Sequence, residues 1–283
     1  MTVTIEKFNE AYLRIKCDSA VARELSEFFT FEVPGAKFMP SVRRRIWDGK
    51  IRLFSTGNGK IYYGLLPYVK EFLQEQGHTY TLSEEFSKRT LDKSTTSKFV
   101  QSLSKIKARD YQIDAVHNIL EHDRGLILSP TGSGKSFIIY ALVRYYVQKN
   151  LKVLIVVPTT SLVEQMYTDF IDYGWSSDDY CHRVYGGRER DTDKAVIIST
   201  WQSIYNQNKK YFSQFGVVFV DEAHLAKAKS LVGIMTKLTD CKYRIGLTGT
   251  LDGTEVHRLV LEGLFNVHEE VTTTAELIER KEL

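Results

Sequence analysis

Cysteine is scarce and scattered, with only Cys17, Cys181 and Cys241 in 283 residues. They form no metal-ligand or disulfide pattern, which excludes a disulfide-stapled scaffold and predicts reduced, structural thiols. Long apolar runs are missing too. No stretch approaches the roughly 20 residues that span a bilayer, so no membrane partner is expected. The opening, Met1 to Lys7, lacks the layout of a signal peptide, and a cytoplasmic protein is the expectation. There is no internal repeat, and a net charge of +3 is too small to select a partner. What remains, 43% hydrophobic and 26% charged residues, describes a globular chain long enough for one large and one small domain.

Two motifs carry phosphate chemistry. The apolar run Gly125 to Leu128 precedes Ser129-Pro130-Thr131-Gly132-Ser133-Gly134-Lys135-Ser136, and Phe137 to Val143 then reads as a helix start. Strand, loop and helix is the setting a P-loop requires. There, backbone N–H groups and the positive helix end converge on phosphates, and Gly132 and Gly134 allow an approach that a side chain would block. Lys135 is placed for the outer phosphates, and Ser136 offers Mg²⁺ a hydroxyl. Ser129 stands where the full pattern has glycine, which leaves a chance Gly/Ser turn as the competing reading. The second motif, Asp221-Glu222-Ala223-His224, ends the apolar run Phe215 to Val220. Carboxylates at the carboxyl end of a parallel strand face the ligand crevice. Asp221 is the candidate for Mg²⁺, directly or through water, and Glu222 for orienting or deprotonating the attacking water. An acidic surface turn is the alternative to this second motif, and a P-loop elsewhere in the chain weakens it.

Further apolar runs alternate with helical stretches: Leu126 to Leu128, Lys152 to Val157, Ala195 to Ser199, Val217 to Val220 and Tyr243 to Thr248. The fold class is therefore α/β, a parallel sheet between helices, with candidate residues just after the strands at one edge. Residues 86–104 are polar and weakly periodic and read as a linker. Before it, residues 1–85 read as a small α+β domain. It has a strand over Ala11 to Lys16, a helix over Asp18 to Phe29 and a second helix over Pro67 to Gln76. Lys50 to Phe54 and Lys60 to Gly64 are expected to form a hairpin through Gly57-Asn58-Gly59. Residues 37–60 hold seven cations, Arg43, Arg44 and Arg45 among them, against the single acid Asp48, a local charge of +6. Trp47, Phe54, Tyr62 and Tyr63 are interleaved. Either this patch neutralises phosphates and touches bases, or its rings pack a core and its cations face water.

Taken together, the series resembles the first RecA-like domain of a superfamily 2 helicase, over essentially the whole chain and with a likeness to phage recombination helicases. If phage-encoded, the protein would act in the host cytoplasm. The resemblance makes residues 105–283 that domain and assigns ATP to Thr131, Gly132, Ser133, Gly134, Lys135 and Ser136. It implies catalytic roles for Lys135, Asp221, Glu222 and His224. Arg109 and Gln112 would sense adenine, Gln112 satisfying both edges of the base and Arg109 stacking or hydrogen bonding. Without that context Asp110 would merely cap a helix, with Gln112 solvated. Pro158 and Thr159, Gly186, and Thr200 with Gln202 would contact nucleic acid, the threonines capping helices as an alternative or additional job. Thr248 and Thr250 would couple the nucleotide site to strand movement, one of them near His224. The expected partner is nucleic acid: DNA, possibly branched, or RNA or a DNA/RNA hybrid, with a monomer favoured. The implied activity is an ATP-dependent helicase acting in recombination, replication and repair. A double-strand translocase without strand separation and a binding module with an incomplete ATP site are the alternatives. Since helicases of this type continue into a second RecA-like domain, weak or undetectable turnover by this chain alone is the further expectation.

Overall fold

The computed structural model describes residues 2–83, 86, 90–225, 228–251 and 254–281. Two compact units result: Met1–Ser87 with Asp252–Val267, and Lys88–Leu251 with His268–Leu283.

The first unit begins with β1 (Val3–Lys7), β2 (Tyr12–Lys16) and α1 (Ser19–Phe28), followed by β3 (Thr30–Glu32), α2 (Pro40–Arg43) and β4 (Lys50–Arg52). β5 (Lys60–Tyr62), α3 (Leu66–Glu75) and β6 (Tyr80–Leu82) complete its N-terminal part. The Asp18 carboxylate accepts from the N–H groups of Ala20 and Val21, fixing the start of α1. Strand alternation buries Val3, Ile5, Leu13, Ile15 and Ile61, and the helices bury Leu25, Val69 and Leu73. Each such aliphatic side chain contributes about 1.5–3 kcal/mol by leaving water. The expected hairpin does not form. The sheet runs β5-β2-β1-β6, while β4 pairs with β3 in a separate ribbon. Only a bridge from Ser55 to Lys60 survives at the glycine turn. The reason is a non-local contact: Ile15 N–H donates to Gly59 O at 2.8 Å, which draws β5 onto β2.

In the second unit α4 (Lys93–Ser102) and α5 (Asp110–His122) precede β7 (Arg124–Leu128), α6 (Lys135–Gln148), β8 (Val153–Val157) and α7 (Thr160–Asp172). Next come α8 (Ser177–Tyr180), β9 (Cys181–Val184), β10 (Val196–Thr200), α9 (Trp201–Ile204) and α10 (Lys209–Phe212). β11 (Val217–Val220), α11 (Ala228–Lys237) and β12 (Tyr243–Thr248) follow. The chain then makes α12 (Glu255–Leu264), β13 (His268–Glu270) and α13 (Thr274–Glu279). The sheet order is β13-β7-β12-β11-β8-β10-β9, all parallel. Every residue of β8, β10 and β11 is buried, as a sheet covered on both faces requires. The five expected strands and the α/β class are borne out.

Two boundaries differ from expectation. Part of the linker is helical: Asp92 caps α4 by accepting from Ser94 N–H, and Val100 and Thr96 are buried. Its Ser87, Lys88 and Arg89 lie outside the described residues. And the stretch containing α12 belongs to the first unit. There, a Cβ on Gly64 would sit 2.0 Å from Glu262 O, and one on Gly263 would sit 2.8 Å from Tyr62 Cβ. Two glycines thus let the helix approach backbone to backbone, and Tyr68 donates to Glu262 Oε2 at 2.6 Å.

Candidate nucleotide and nucleic-acid site

The carboxyl ends of β7, β11 and β12 bring three loops together. After β7, Ser129 N–H donates to Thr248 O at 2.9 Å, so the P-loop leaves the sheet beside the end of β12. Gly132 and Gly134 adopt φ of 85° and 78°, left-handed values that favour glycine. Thr131 and Gly132 form the exposed crest of the loop and Ser133 is buried beneath it. The serine in place of the first glycine has a structural job: Ser129 Oγ donates to Ser133 Oγ at 2.6 Å, which donates to Pro130 O at 2.7 Å.

Lys135 opens α6, and its ammonium lies 2.9 Å from Glu222 Oε1 and 3.2 Å from Ser129 O. Asp221, after β11, is buried, and its Oδ1 accepts from Glu222 N–H at 3.0 Å. Burial first, and the neighbouring Glu222 charge second, push the Asp221 carboxyl up to about 6. Glu222 itself has φ of 48°, a left-handed conformation that costs a non-glycine residue about 1–3 kcal/mol and turns its carboxylate toward Lys135.

His224 closes the cluster, Nδ1 lying 3.5 Å from Glu222 Oε2 and 2.7 Å from Thr248 Oγ1. The Thr248 hydroxyl has one proton and gives it to Thr250 O at 2.7 Å, so Nδ1 carries the ring proton toward Thr248. It is Thr248, not the exposed Thr250, whose hydroxyl meets His224. A Cβ on Gly249 would meet Lys135 Nζ, Ser129 O and Glu222 Oε2 at 3.7–4.0 Å, which puts this glycine against the same cluster.

Gln112 is buried, not solvated, and Asp110 lies within α5 and does not cap it. The Gln112 amide accepts from Arg109 N–H at 3.0 Å and donates to Ser133 O at 3.0 Å and to Gly134 O at 3.4 Å. Tyr111, which the sequence reading passed over, adds a bond from its hydroxyl to Ser133 O at 2.8 Å, and Arg109 Nη1 donates to that hydroxyl. The start of α5 therefore clamps the underside of the P-loop. Ser136 is also engaged: its hydroxyl lies 2.8 Å from the Tyr173 hydroxyl at the end of α7. Nothing local in the sequence announces Tyr173.

The second group of candidates lies at the ends of β8 and β10. Thr159 caps α7, accepting from Leu162 N–H at 3.3 Å, and leaves other first-turn N–H groups open. Thr200 stands at the start of α9 but makes no cap; its hydroxyl meets Ser203 Oγ at 2.9 Å and the residue is buried. Gln202 reaches Pro158 O at 3.4 Å and so ties the two loops together. Gly186 and Gly187 turn in left-handed conformations beside Arg183, Tyr185 and Arg188, all three held to Glu164 of α7. Arg43, Arg44 and Arg45 are exposed on the first unit.

Residues 105–253 match the family described as type III restriction enzyme, res subunit. The chain belongs to this family of superfamily 2 helicases. Residues 2–83 match the N-terminal domain of the DNA helicase UvsW. The ATP-dependent DNA helicase UvsW of Enterobacteria phage T4 is 34% identical over 99% of this chain, and the chain spans 58% of that relative. A DNA 3'-5' translocase of Sulfurisphaera tokodaii is 34% identical over 52% of the chain, 31% of its own length. Two crystal structures of T4 UvsW superpose with TM-scores of 0.87 and 0.89 at 33% identity. They cover 95% and 98% of this chain, and 100% and 58% of theirs. The fold of both units is thus shared with that helicase over nearly the whole chain.

Proposed function

We propose that the second unit binds and hydrolyses ATP, and that the whole protein uses this to move along and separate nucleic-acid strands, as a DNA helicase. The observation that carries the reading is the convergence of Lys135, Asp221, Glu222, His224 and Thr248 beneath one glycine loop. Thr131 to Ser136 would cradle the phosphates with backbone N–H groups and the α6 N-terminus, Lys135 exchanging Glu222 for the outer phosphates. Freed from Lys135, Glu222 would take the water's proton or aim the water, and His224 would pass the state of the site to Thr248. Arg109 and Gln112 would touch adenine once the loop opens its hold on the amide. A divalent ion such as Mg²⁺ takes hydroxyl, carboxylate and phosphate oxygens, and the Ser136 hydroxyl and the buried Asp221 carboxylate fit that chemistry. When bound, it would neutralise charge building on the phosphates.

Pro158, Thr159, Gly186, Thr200 and Gln202 would grip the phosphate backbone along the β8 and β10 loops, with Arg43 to Arg45 contributing from the first unit. Backbone contacts suit DNA, RNA or a hybrid equally, so branched DNA or DNA/RNA hybrid intermediates of recombination, replication and repair are proposed on family likeness. The site of action would be the cytoplasm, that of the host if the protein is phage-encoded. Translocation on duplex without strand separation is the second reading, favoured by the likeness to an archaeal translocase.

The test is ATP hydrolysis by the intact protein with single-stranded, duplex and forked DNA and with RNA. Stimulation by nucleic acid is expected, and Glu222→Gln should lower the rate by about 10²–10⁴ while leaving nucleotide binding in place. Indifference to every nucleic acid would overturn the motor reading, and tracking on duplex without displacement would favour the translocase.

A further inference from the structure

The start of α7 gathers the loops proposed above to grip a phosphate backbone. Thr159 caps the helix, and Gln202 reaches the Pro158 carbonyl just before it. In the next turn Glu164 holds the loop after β9. Arg183 Nη1 lies 2.5 Å from Glu164 Oε2, the Tyr185 hydroxyl donates to Oε1, and Arg188 Nη2 stands 3.9 Å from that same oxygen. Val184 of β9 pairs with Ser199 of β10, which sets Tyr185 level with Thr200 at the carboxyl edge of the sheet.

The other end of α7 is tied to the nucleotide loop. Tyr173 N–H donates to Asp169 O at 2.9 Å, Gly174 N–H to Ile171 O at 2.8 Å and Trp175 N–H to Phe170 O at 3.0 Å, a closure that Gly174 permits with φ of 91°. The backbone of Tyr173 is thereby fixed to the helix. Its ring lies edge-on to Phe137 at 5.2 Å and 5.1 Å from Tyr140, both buried on α6, and its hydroxyl lies 2.8 Å from that of Ser136. Between the two ends Val163, Met166, Tyr167 and Phe170 are buried, so α7 is seated as one body. A phenylalanine would fill the same space. What the tyrosine adds is a hydroxyl, and it falls on the Ser136 oxygen that fits a divalent ion. An oxygen that must share or give up a bond to a phenol holds an ion less firmly, by about three- to tenfold for one hydrogen bond.

We propose that Tyr173 is a positioning residue that withholds the Ser136 hydroxyl from a nucleotide-bound divalent ion until nucleic acid, gripped at the start of α7, shifts the helix and breaks the Tyr173–Ser136 bond. This rests on the nucleotide and nucleic-acid readings above. The hydroxyl pair is the element with two states, made in the empty protein and broken when both ligands are bound.

The test reads affinity, not turnover. A fluorescent, non-hydrolysable ATP analogue is titrated into the intact protein with and without a saturating single-stranded DNA oligonucleotide, once in Mg²⁺ and once in EDTA. In the wild type the oligonucleotide should tighten binding about fivefold in Mg²⁺ and leave it unchanged in EDTA. Tyr173→Phe should bind about three- to tenfold more tightly in Mg²⁺ without the oligonucleotide, gain less than about twofold from it, and match the wild type in EDTA. A tyrosine that only supports packing would move the EDTA values as well, and that result overturns the proposal. Ser136→Ala removes the other half of the pair, so the gain from the oligonucleotide should vanish there too. A fivefold gain that persists in either variant, or none in a wild type that binds both ligands, overturns the coupling. Failure of the wild type to bind the oligonucleotide, read by anisotropy, would overturn the nucleic-acid reading and the coupling with it, while intact DNA binding without nucleotide binding would place the failure in the ATP site.

Discussion

Gln112→Ala should destabilise the second unit even with no nucleotide present. The side chain is buried and its amide makes three bonds, one to Arg109 N–H and two to the Ser133 and Gly134 carbonyls. Truncation leaves the Arg109 N–H without its acceptor, at about 1–3 kcal/mol. Ser133 O is compensated, because Tyr111 still donates to it. Adding the lost packing of a buried chain gives about 2–4 kcal/mol, or roughly 5–15 °C in Tm for a unit of this size. Gln112→Glu keeps the acceptor but turns a carboxylate oxygen on two carbonyls, so it should be at least as damaging at neutral pH. Its folded-state pKa would be raised, so its penalty should shrink as the pH falls toward the unfolded value and the acid becomes a donor. Calorimetry of the nucleotide-free protein, following the larger unit's transition, measures this. A Tm change under about 2 °C for Gln112→Ala, with nucleotide affinity nonetheless reduced, would refute the clamp and leave a side chain that serves the purine alone.

Asp221, pushed up to about 6 chiefly by burial, gives a pH test. Its folded pKa lies above the unfolded value, so protonation favours the fold and that contribution is lost as pH rises through 6. The carboxylate proposed to hold a divalent ion is lost in the opposite direction. Mg²⁺-dependent affinity for a fluorescent ATP analogue should therefore drop about tenfold from pH 7 to 5, and Asp221→Asn should be low and flat. A flat wild-type profile would remove Asp221 from the ion site. Tyr173→Phe deletes the hydroxyl that occupies Ser136 but keeps the ring against Phe137 at 5.2 Å. Mg²⁺–nucleotide affinity should rise about three- to tenfold, the worth of one competing hydrogen bond, and an unchanged value would mean that the bond is already broken in solution. Thr248→Ala with Thr250→Ala strips His224 of its 2.7 Å acceptor. Nucleotide binding should persist while nucleic-acid stimulation falls by about 5–150-fold, the usual span of coupling between two sites; a normal stimulated rate would sink the relay.

The parts of this protein that its sequence announced are those whose cause is local. β8 and β11 are uniform Val, Ile, Leu and Phe because both faces are covered, and the glycine loop after β7 shows itself because the left-handed turns at 132 and 134 need glycine whatever surrounds them. The failures share the opposite cause. β13 reads His-Glu-Glu, since at a sheet's edge pairing with β7 is enough. α4 looked like a linker because only Thr96 and Val100 of its ten residues are buried. Gly57-Asn58-Gly59 made a turn, but which strands flank it was settled by β2 and β3. In the site, Tyr173 meets Ser136 across 37 residues of sequence and Tyr111 meets Ser133 across 22, so no spacing rule could find either.

The return of α12 to the first unit was hidden for a similar reason, yet here a signal existed. An amphipathic period identifies a helix and its apolar face without saying which core that face covers. Gly64 precedes α3, which Leu66 begins, and Gly263 lies inside α12; neither has a positive φ. A glycine lowers helix stability by about 1 kcal/mol relative to alanine, so one kept inside a helix without a turn to make marks close backbone approach. At Gly263 the contact is the Tyr62 ring, and at Gly64 it is the α12 backbone itself. Alanine at either position should therefore loosen the first unit while sparing the nucleotide site, which is how a packing glycine is told apart from one that serves phosphate.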